Sequence, residues 1–154
     1  LRFGWTALLG TRVAFAFGHG LSYSDFAYAW APAGAPTYTR GEHGNSSSAS
    51  LSVVITNVGA VDGRETVQLY LTFPANASGT TAEPRMLLRA FEKTPVLQPA
   101  GTHVAAMLLS ARDLSIWDAA VGPRGGWRLV TGKFMLMVGS SSRDPRLEVP
   151  LWVT

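Results

Sequence analysis

Short runs in which apolar and polar residues alternate recur along most of this 154-residue chain. Alternation with a period of two is typical of β-strands that bury one face. Turn residues separate the runs, for example Asp62-Gly63 and the loop Gly122-Pro123-Arg124-Gly125-Gly126. No stretch keeps a 3.6-residue apolar period over the length that a helix needs. The pattern therefore predicts an all-β fold.

The alternation predicts about seven strands, and the clearest lies in residues 65–73. There Val67, Leu69, Leu71 and Phe73 are expected to point inward and Thr66, Gln68 and Thr72 outward, with Tyr70 on that second, more polar face. The predicted strands are 25–31, 49–56, 65–73, 87–93, 102–110, 127–139 with an interruption near Gly132, and 146–153. Residues 31–48 are predicted to be a polar loop and 112–115 a polar corner. This strand number favours a two-sheet sandwich of the fibronectin type III or immunoglobulin-like class.

Composition and charge exclude several classes of protein. Hydrophobic residues make up 47% of the chain and charged residues 15%, which excludes a disordered chain and suggests that something else covers part of the surface. The net charge is +3, and the cations are scattered without a basic stripe, so no nucleic-acid partner is expected. No apolar run approaches the ~18 residues that span a bilayer, so no membrane association is expected. The absence of cysteine excludes disulfides and thiolate metal sites.

Candidate catalytic groups do not form a recognisable set. The histidines His19, His43 and His103 lack partners at metal-ligand spacing, so neither a metal nor a cofactor is predicted. Hydrolysis of a glycoside needs two carboxyl groups across a cleft, and Asp113 and Asp118 are the most tempting pair. Both fall on a connection between strands, where such residues commonly cap turns. We therefore predict no catalytic residue in this chain.

Aromatic residues leave a second function open. Trp30, Tyr70, Trp117 and Trp127 would suit a flat platform that stacks on sugar rings, but we predict that they belong to the core, as aromatics at alternating strand positions usually do. An independent carbohydrate-binding module with a polysaccharide partner is the alternative. It requires two or more exposed, roughly coplanar aromatic rings on one face.

Two tripeptides match the N-glycosylation pattern. They begin at Asn45 and Asn76, and both fall in loops that we expect to be exposed. Glycosylation at these positions matters only if the chain enters a eukaryotic secretory route, and the residues themselves leave its location open.

An ordered series of segments resembles glycoside hydrolase family 3. Phe15-Ala16-Phe17-Gly18-His19-Gly20-Leu21-Ser22-Tyr23 resembles the junction that leads, in that family, from the catalytic α/β sandwich into a fibronectin type III-like domain. Glu65-Thr66-Val67-Gln68-Leu69-Tyr70-Leu71 and Asp113-Leu114-Ser115-Ile116-Trp117-Asp118 are similar to later strands of that domain. The family usually has proline where Ala16 stands.

The resemblance implies a domain organisation. Residues 1–24 would be the tail of a preceding catalytic domain and an interdomain linker, and residues 25–154 the fibronectin type III-like domain. The interdomain junction would be Phe17, Gly18, His19, Gly20, Leu21, Ser22 and Tyr23. Because the sequence begins with Leu1 and shows no signal peptide, we expect it to be a piece of a longer polypeptide.

The resemblance also implies a function. The chain would be a non-catalytic C-terminal accessory domain that stabilises and packs on the catalytic domains of a β-glucosidase- or β-xylosidase-like hydrolase. The family's catalytic residues lie in regions that this sequence does not match, and a secretory or extracellular location would follow from the family. Adhesion to a separate protein partner is a third alternative.

Overall fold

The computed structural model describes residues 13–41, 47–75, 77 and 86–154. Over these residues the only regular elements are ten strands. They are β1 (Phe26–Trp30), β2 (Thr37–Thr39), β3 (Ser48–Asn57), β4 (Thr66–Thr72), β5 (Leu87–Lys93), β6 (Thr102–Ser110), β7 (Ser115–Asp118), β8 (Gly126–Leu129), β9 (Gly132–Ser141) and β10 (Asp144–Val153). The all-β prediction is confirmed.

Two antiparallel sheets form the body of the molecule. In the first sheet, β3 pairs with β6 on one edge and with β1 and β2, one after the other, on the opposite edge. The second sheet has the order β10-β9-β4-β5. The strands β7 and β8 form a separate two-stranded sheet. All seven predicted strand regions contribute to the two main sheets, which confirms the predicted sandwich.

The core lies between these two sheets, and the alternation of the strands creates it. On β3 every second residue is buried, including Val53 and Ile55, while their neighbours are partly exposed. The second sheet contributes Leu69 on β4 and Phe134 on β9, and both side chains are completely buried. The ring of Phe134 lies 5.2 Å from that of Phe73. Removal of such apolar side chains from water is the main driving force that stabilises a two-layer domain.

One predicted strand is wrong, and two strands are missing from the prediction. Residues 127–139 are not one interrupted strand, because β8 and β9 pair with different partners. The strand β8 ends at Leu129, and β9 begins at Gly132, which has a φ of 121°. The missing strand β2 has only three residues and lies in the predicted loop 31–48, while the missing β7 has four and follows the predicted corner 112–115. The three residues of β2 are too few to show alternation, and in β7 the two apolar residues Ile116 and Trp117 are adjacent.

A histidine and a glutamate connect the edges of the two sheets. His103 Nε2 on β6 lies 2.7 Å from Glu92 Oε1 on β5. The other carboxylate oxygen of Glu92 accepts a hydrogen bond of 3.0 Å from the backbone N–H of Ala106. A charged side chain that occupies an edge amide blocks further strand pairing there. The fold thus brings Glu92 into contact with His103, although the two residues are eleven positions apart in the sequence.

Candidate functional site

The predicted junction lies against the outer face of the second sheet, held by its backbone. Gln68 Nε2 donates hydrogen bonds to the carbonyl oxygens of Gly18 at 3.1 Å and Ser140 at 2.5 Å. The backbone N–H of Ser142 donates to the carbonyl oxygen of Phe17 at 2.9 Å. One side chain from β4 therefore joins Gly18 of the junction to β9, and the turn after β9 binds Phe17, the preceding residue.

This contact buries a polar face that the sequence predicts to point outward. Gln68 and Tyr70 lie on the face of β4 opposite the core, yet both are buried. The hydroxyl of Tyr70 donates to Gln68 Oε1 at 2.5 Å and lies 3.4 Å from the carbonyl oxygen of Phe17. Burial raises the pKa of Tyr70 to about 12, so the phenol stays neutral and keeps its donor. Gln68 lies on the outward face, as predicted, but it is buried there because a segment fifty residues away covers it.

The C-terminal end of the junction is anchored by a buried asparagine. Asn57 Oδ1 accepts hydrogen bonds from the Ser24 hydroxyl at 2.5 Å and from the Gly59 N–H at 3.0 Å. Asn57 Nδ2 donates to the carbonyl oxygens of Val61 and Leu97, both at 2.8 Å. The four polar contacts satisfy the side chain, and they fix the point where the junction enters the sandwich.

While the backbone is fixed, the large apolar side chains of the junction face away from the sandwich. The exposed fraction is 70% for Phe15, 41% for Phe17, 92% for Leu21 and 101% for Tyr23. We call these four residues the junction patch. The ring of Phe15 stacks on His19 at 5.2 Å with an interplanar angle of 22°. Exposed apolar side chains that form a contiguous patch are typical of interaction sites.

A groove of about 940 Å³ lies between the junction and the second sheet. Its polar wall contains three carboxyl groups, two of which, those of Glu65 and Asp144, lie in different environments. Burial raises the pKa of Glu65, whereas hydrogen bonds from Arg146 and Ser140 lower the pKa of Asp144. Asp144 is held 2.8 Å from the Arg146 guanidinium, and Glu65 accepts from the Thr66 N–H at 2.9 Å. Local hydrogen bonds thus engage both carboxyl groups.

The two aspartates that resemble a catalytic pair stabilise turns, as predicted. Asp113 Oδ2 accepts from the N–H and the hydroxyl of Ser110, at 2.9 and 2.6 Å. Asp118 accepts from the Ala120 N–H at 2.9 Å and from Arg128 Nε at 2.8 Å. These bonds, chiefly the one from Ala120, lower the pKa of Asp118.

The other predicted sites divide into those that the structure describes and those that it does not. Asn45, Asn76 and His43 lie outside the described residues. Within the described residues, no group of three His, Asp or Glu side chains is placed to hold a metal ion. No helix of the described part is long and apolar enough to cross a membrane.

The four candidate aromatics are not brought together. Tyr70 is buried under the junction, and Trp30 is half-buried against the core. Trp117 and Trp127 are 55% and 45% exposed, so the prediction that they belong to the core is wrong for these two. Their strands β7 and β8 lie outside the two main sheets, where alternation no longer implies a buried face. The two indoles cross at 77°, with centres 5.6 Å apart, and so do not form a flat platform.

Substitution of Gly18 should detach the junction from the sheet. Gly18 has a φ of 77°, and a Cβ there would overlap the amide group of Gln68. We expect Gly18→Ala to lower the free energy of unfolding by about 1–3 kcal/mol, because alanine is strained at positive φ and the amide must move. Gly20→Ala is the matched control, since a Cβ at Gly20 meets nothing within 4 Å. Chemical denaturation of the two variants measures the difference, and equal stability would contradict the docking geometry.

Fold and junction together define a fibronectin type III-like sandwich with an N-terminal segment docked on one sheet. The family model described as "Fibronectin type III-like domain" matches residues 65–142, half of the chain. The chain belongs to this family. The resemblance to the fibronectin type III-like domain of glycoside hydrolase family 3 enzymes is confirmed by its relatives, which are β-glucosidases.

The similar sequences and structures extend over almost the whole chain. The probable β-glucosidase D of Aspergillus niger is 37% identical over 142 residues, which cover 85% of this chain and 18% of the relative. β-Glucosidase cel3A of Pyricularia oryzae is 36% identical over 149 residues, which cover 90% of this chain and 20% of the relative. The crystal structure of β-glucosidase D2-BGL from Chaetomella raphigera matches with a TM-score of 0.80 at 31% identity, over 99% of this chain and 22% of the other. The chain thus spans about a fifth of the length of these proteins.

Proposed function

We propose that this chain is the non-catalytic accessory domain of a β-glucosidase, and that it stabilises and packs on the catalytic domains of that enzyme. The junction patch carries the proposal. Four large apolar side chains stand exposed on a segment whose backbone is fixed to the sandwich. In this proposal, residues 1–24 are the end of the preceding domain and the linker, and residues 25–154 are the accessory domain.

The fixed backbone decides what kind of contact the patch makes. Hydrogen bonds from Gln68 and Ser142 hold residues 17 and 18, and the Asn57 network holds residue 24. A linker that is bound at both ends cannot fold its apolar side chains back into its own core. Covering a Phe or Leu side chain with another protein surface contributes about 1.5–3 kcal/mol. The preceding polypeptide is the best-placed partner because it is covalently attached at this position.

The relatives support the enzyme class of the proposal. Proteins named as β-glucosidases contain this domain as about a fifth of their length, so most of each relative is a different part of the polypeptide. The two aspartates weighed as a catalytic pair are engaged in turns. The proposal therefore assigns hydrolysis to the remainder of the enzyme.

A chimera tests the packing role. The β-D-glucoside glucohydrolase of Trichoderma reesei contains a matching region, with 31% identity and a TM-score of 0.78 over 99% of this chain. Replacing that region by this chain should give an enzyme that hydrolyses a chromogenic β-glucoside. The triple substitution Phe15→Ser, Leu21→Ser and Tyr23→Ser should lower the melting temperature of the chimera by at least ~5 °C, since about 1.5–3 kcal/mol is lost for each uncovered apolar side chain.

Two controls make the result specific. Val104→Ser with Leu108→Ser changes two exposed apolar residues on the outer face of the first sheet, and we expect it to leave the melting temperature of the chimera within about 2 °C. The triple junction variant of the 154-residue chain alone should melt like the unmodified chain. If the triple substitution changed neither the melting temperature of the chimera nor its hydrolysis of the β-glucoside, the proposal would be contradicted.

A further inference from the structure

The hairpin formed by β7 and β8 carries a second exposed surface, distant in sequence from the junction. Trp117 and Trp127 are directly opposite each other in the strand register. The guanidinium carbon of Arg112 lies 3.9 Å from the centre of the Trp127 ring. We call the side chains of these three residues, Arg112, Trp117 and Trp127, the tryptophan corner.

Neighbouring residues of the hairpin hold this corner in place. Arg128 Nε donates to Asp118 at 2.8 Å, and Arg128 Nη2 donates to the carbonyl oxygen of Ala77 at 2.9 Å. The Val130 N–H donates to the carbonyl oxygen of Leu114 at 3.0 Å, which ties the base of the hairpin together. The exposed indoles are therefore presented by a fixed backbone, which reduces the entropy lost when a ligand binds.

We propose that the tryptophan corner binds a soluble oligosaccharide chain of β-linked glucose residues. The C–H-bearing face of a glucose ring is apolar and packs on the negative face of an indole, whose edge and Nε1–H are positive. The Arg112 guanidinium lies over one face of the Trp127 ring, and its five N–H donors suit the hydroxyl groups at the rim of a sugar that packs on the indole surface left exposed. The corner thus combines an apolar surface with directional donors, which is the usual composition of a small-molecule site.

The crossing angle selects the form of the carbohydrate. A crystalline polysaccharide presents a flat surface, which needs coplanar rings, whereas these indoles cross at 77°. A corner of this shape receives one free chain, with one indole against the face of a sugar ring and the other at its edge. The site is independent of the packing role, because none of the three residues belongs to the junction patch, while the choice of β-linked glucose rests on the proposed β-glucosidase.

An NMR titration of the 154-residue chain tests the proposal. With ¹⁵N-labelled indoles, cellotetraose should shift the Nε1–H signals of Trp117 and Trp127 in a saturable way. The signal of Trp152, which is 62% exposed on β10, is the internal control and should not move. Absence of any shift at millimolar cellotetraose, or equal shifts at Trp152, would overturn the proposal.

Variants then assign the binding to the corner. Trp117→Ala and Trp127→Ala should each weaken cellotetraose binding at least tenfold, while Trp152→Ala should change it less than twofold. Trp127→Phe keeps an aromatic face and should retain more affinity than Trp127→Ala, which separates stacking from a loss of folding. Binding to crystalline cellulose would contradict the corner geometry. If the chain formed a dimer that buries both indoles and does not bind cellotetraose, the corner would be a protein contact and the proposal would be overturned.

Discussion

Replacing Phe134 by alanine is expected to lower the free energy of unfolding by about 3–5 kcal/mol, because a fully buried aromatic ring is lost and a cavity remains. Phe134 is completely buried on β9, and its ring packs against Phe73 from the end of β4. For a domain of this size, a loss of about 1 kcal/mol lowers the melting temperature by about 2–4 °C. The expected decrease is therefore about 6–20 °C.

Urea denaturation of the chain and its variant measures this loss. Trp152→Ala is the matched control, since it also truncates an aromatic residue, but one that is 62% exposed on the adjacent strand β10. The control should stay within about 0.5 kcal/mol of the unmodified chain. A Phe134 variant that lost less than about 1 kcal/mol would mean that the two sheets do not enclose a core around this ring.

The strands of the main sheets could be predicted because one physical cause determines them. Where one face packs on the core, every second residue must be apolar, and the stretches that form β3, β4 and β6 carry that pattern directly. The same logic assigns Val67, Leu69 and Leu71 to the inner face, and all three are buried. Alternation thus predicts which face is inside wherever a sheet has only one covered face.

The failures share another cause, which is contact made by distant segments. Gln68 and Tyr70 occupy outward positions on β4 and are buried only because the junction crosses them. Trp127 alternates with Leu129 as a core residue would, and Trp117 lies opposite it, but their hairpin is outside the main sheets. Local periodicity carries no information about what covers a second face, or about whether a strand belongs to the sandwich at all.

The two candidate surfaces therefore differ in how far the sequence could reveal them. The resemblance predicts the junction, and the structure shows that the backbone of this segment is bound to the sandwich while its apolar side chains are exposed. The sequence places the tryptophan pair in a larger candidate platform, and the structure separates it from Trp30 and Tyr70. Whether an apolar side chain belongs to the core or is available for binding depends on its exposure, and exposure is a property of the assembled fold.

Replacing Asn57 by alanine should produce the second large loss, about 3–4 kcal/mol in the free energy of unfolding. The variant removes four hydrogen bonds, each with a net contribution of about 1 kcal/mol, and leaves the Leu97 carbonyl oxygen without the amide donor. Ser24→Ala removes only one of the four and should cost about 1 kcal/mol. Chemical denaturation measures both values, and hydrogen exchange at residues 17–24 reports whether the junction loosens. Equal losses in the two variants would show that Asn57 serves only to hold Ser24, and that the contacts to Val61 and Leu97 add no stability.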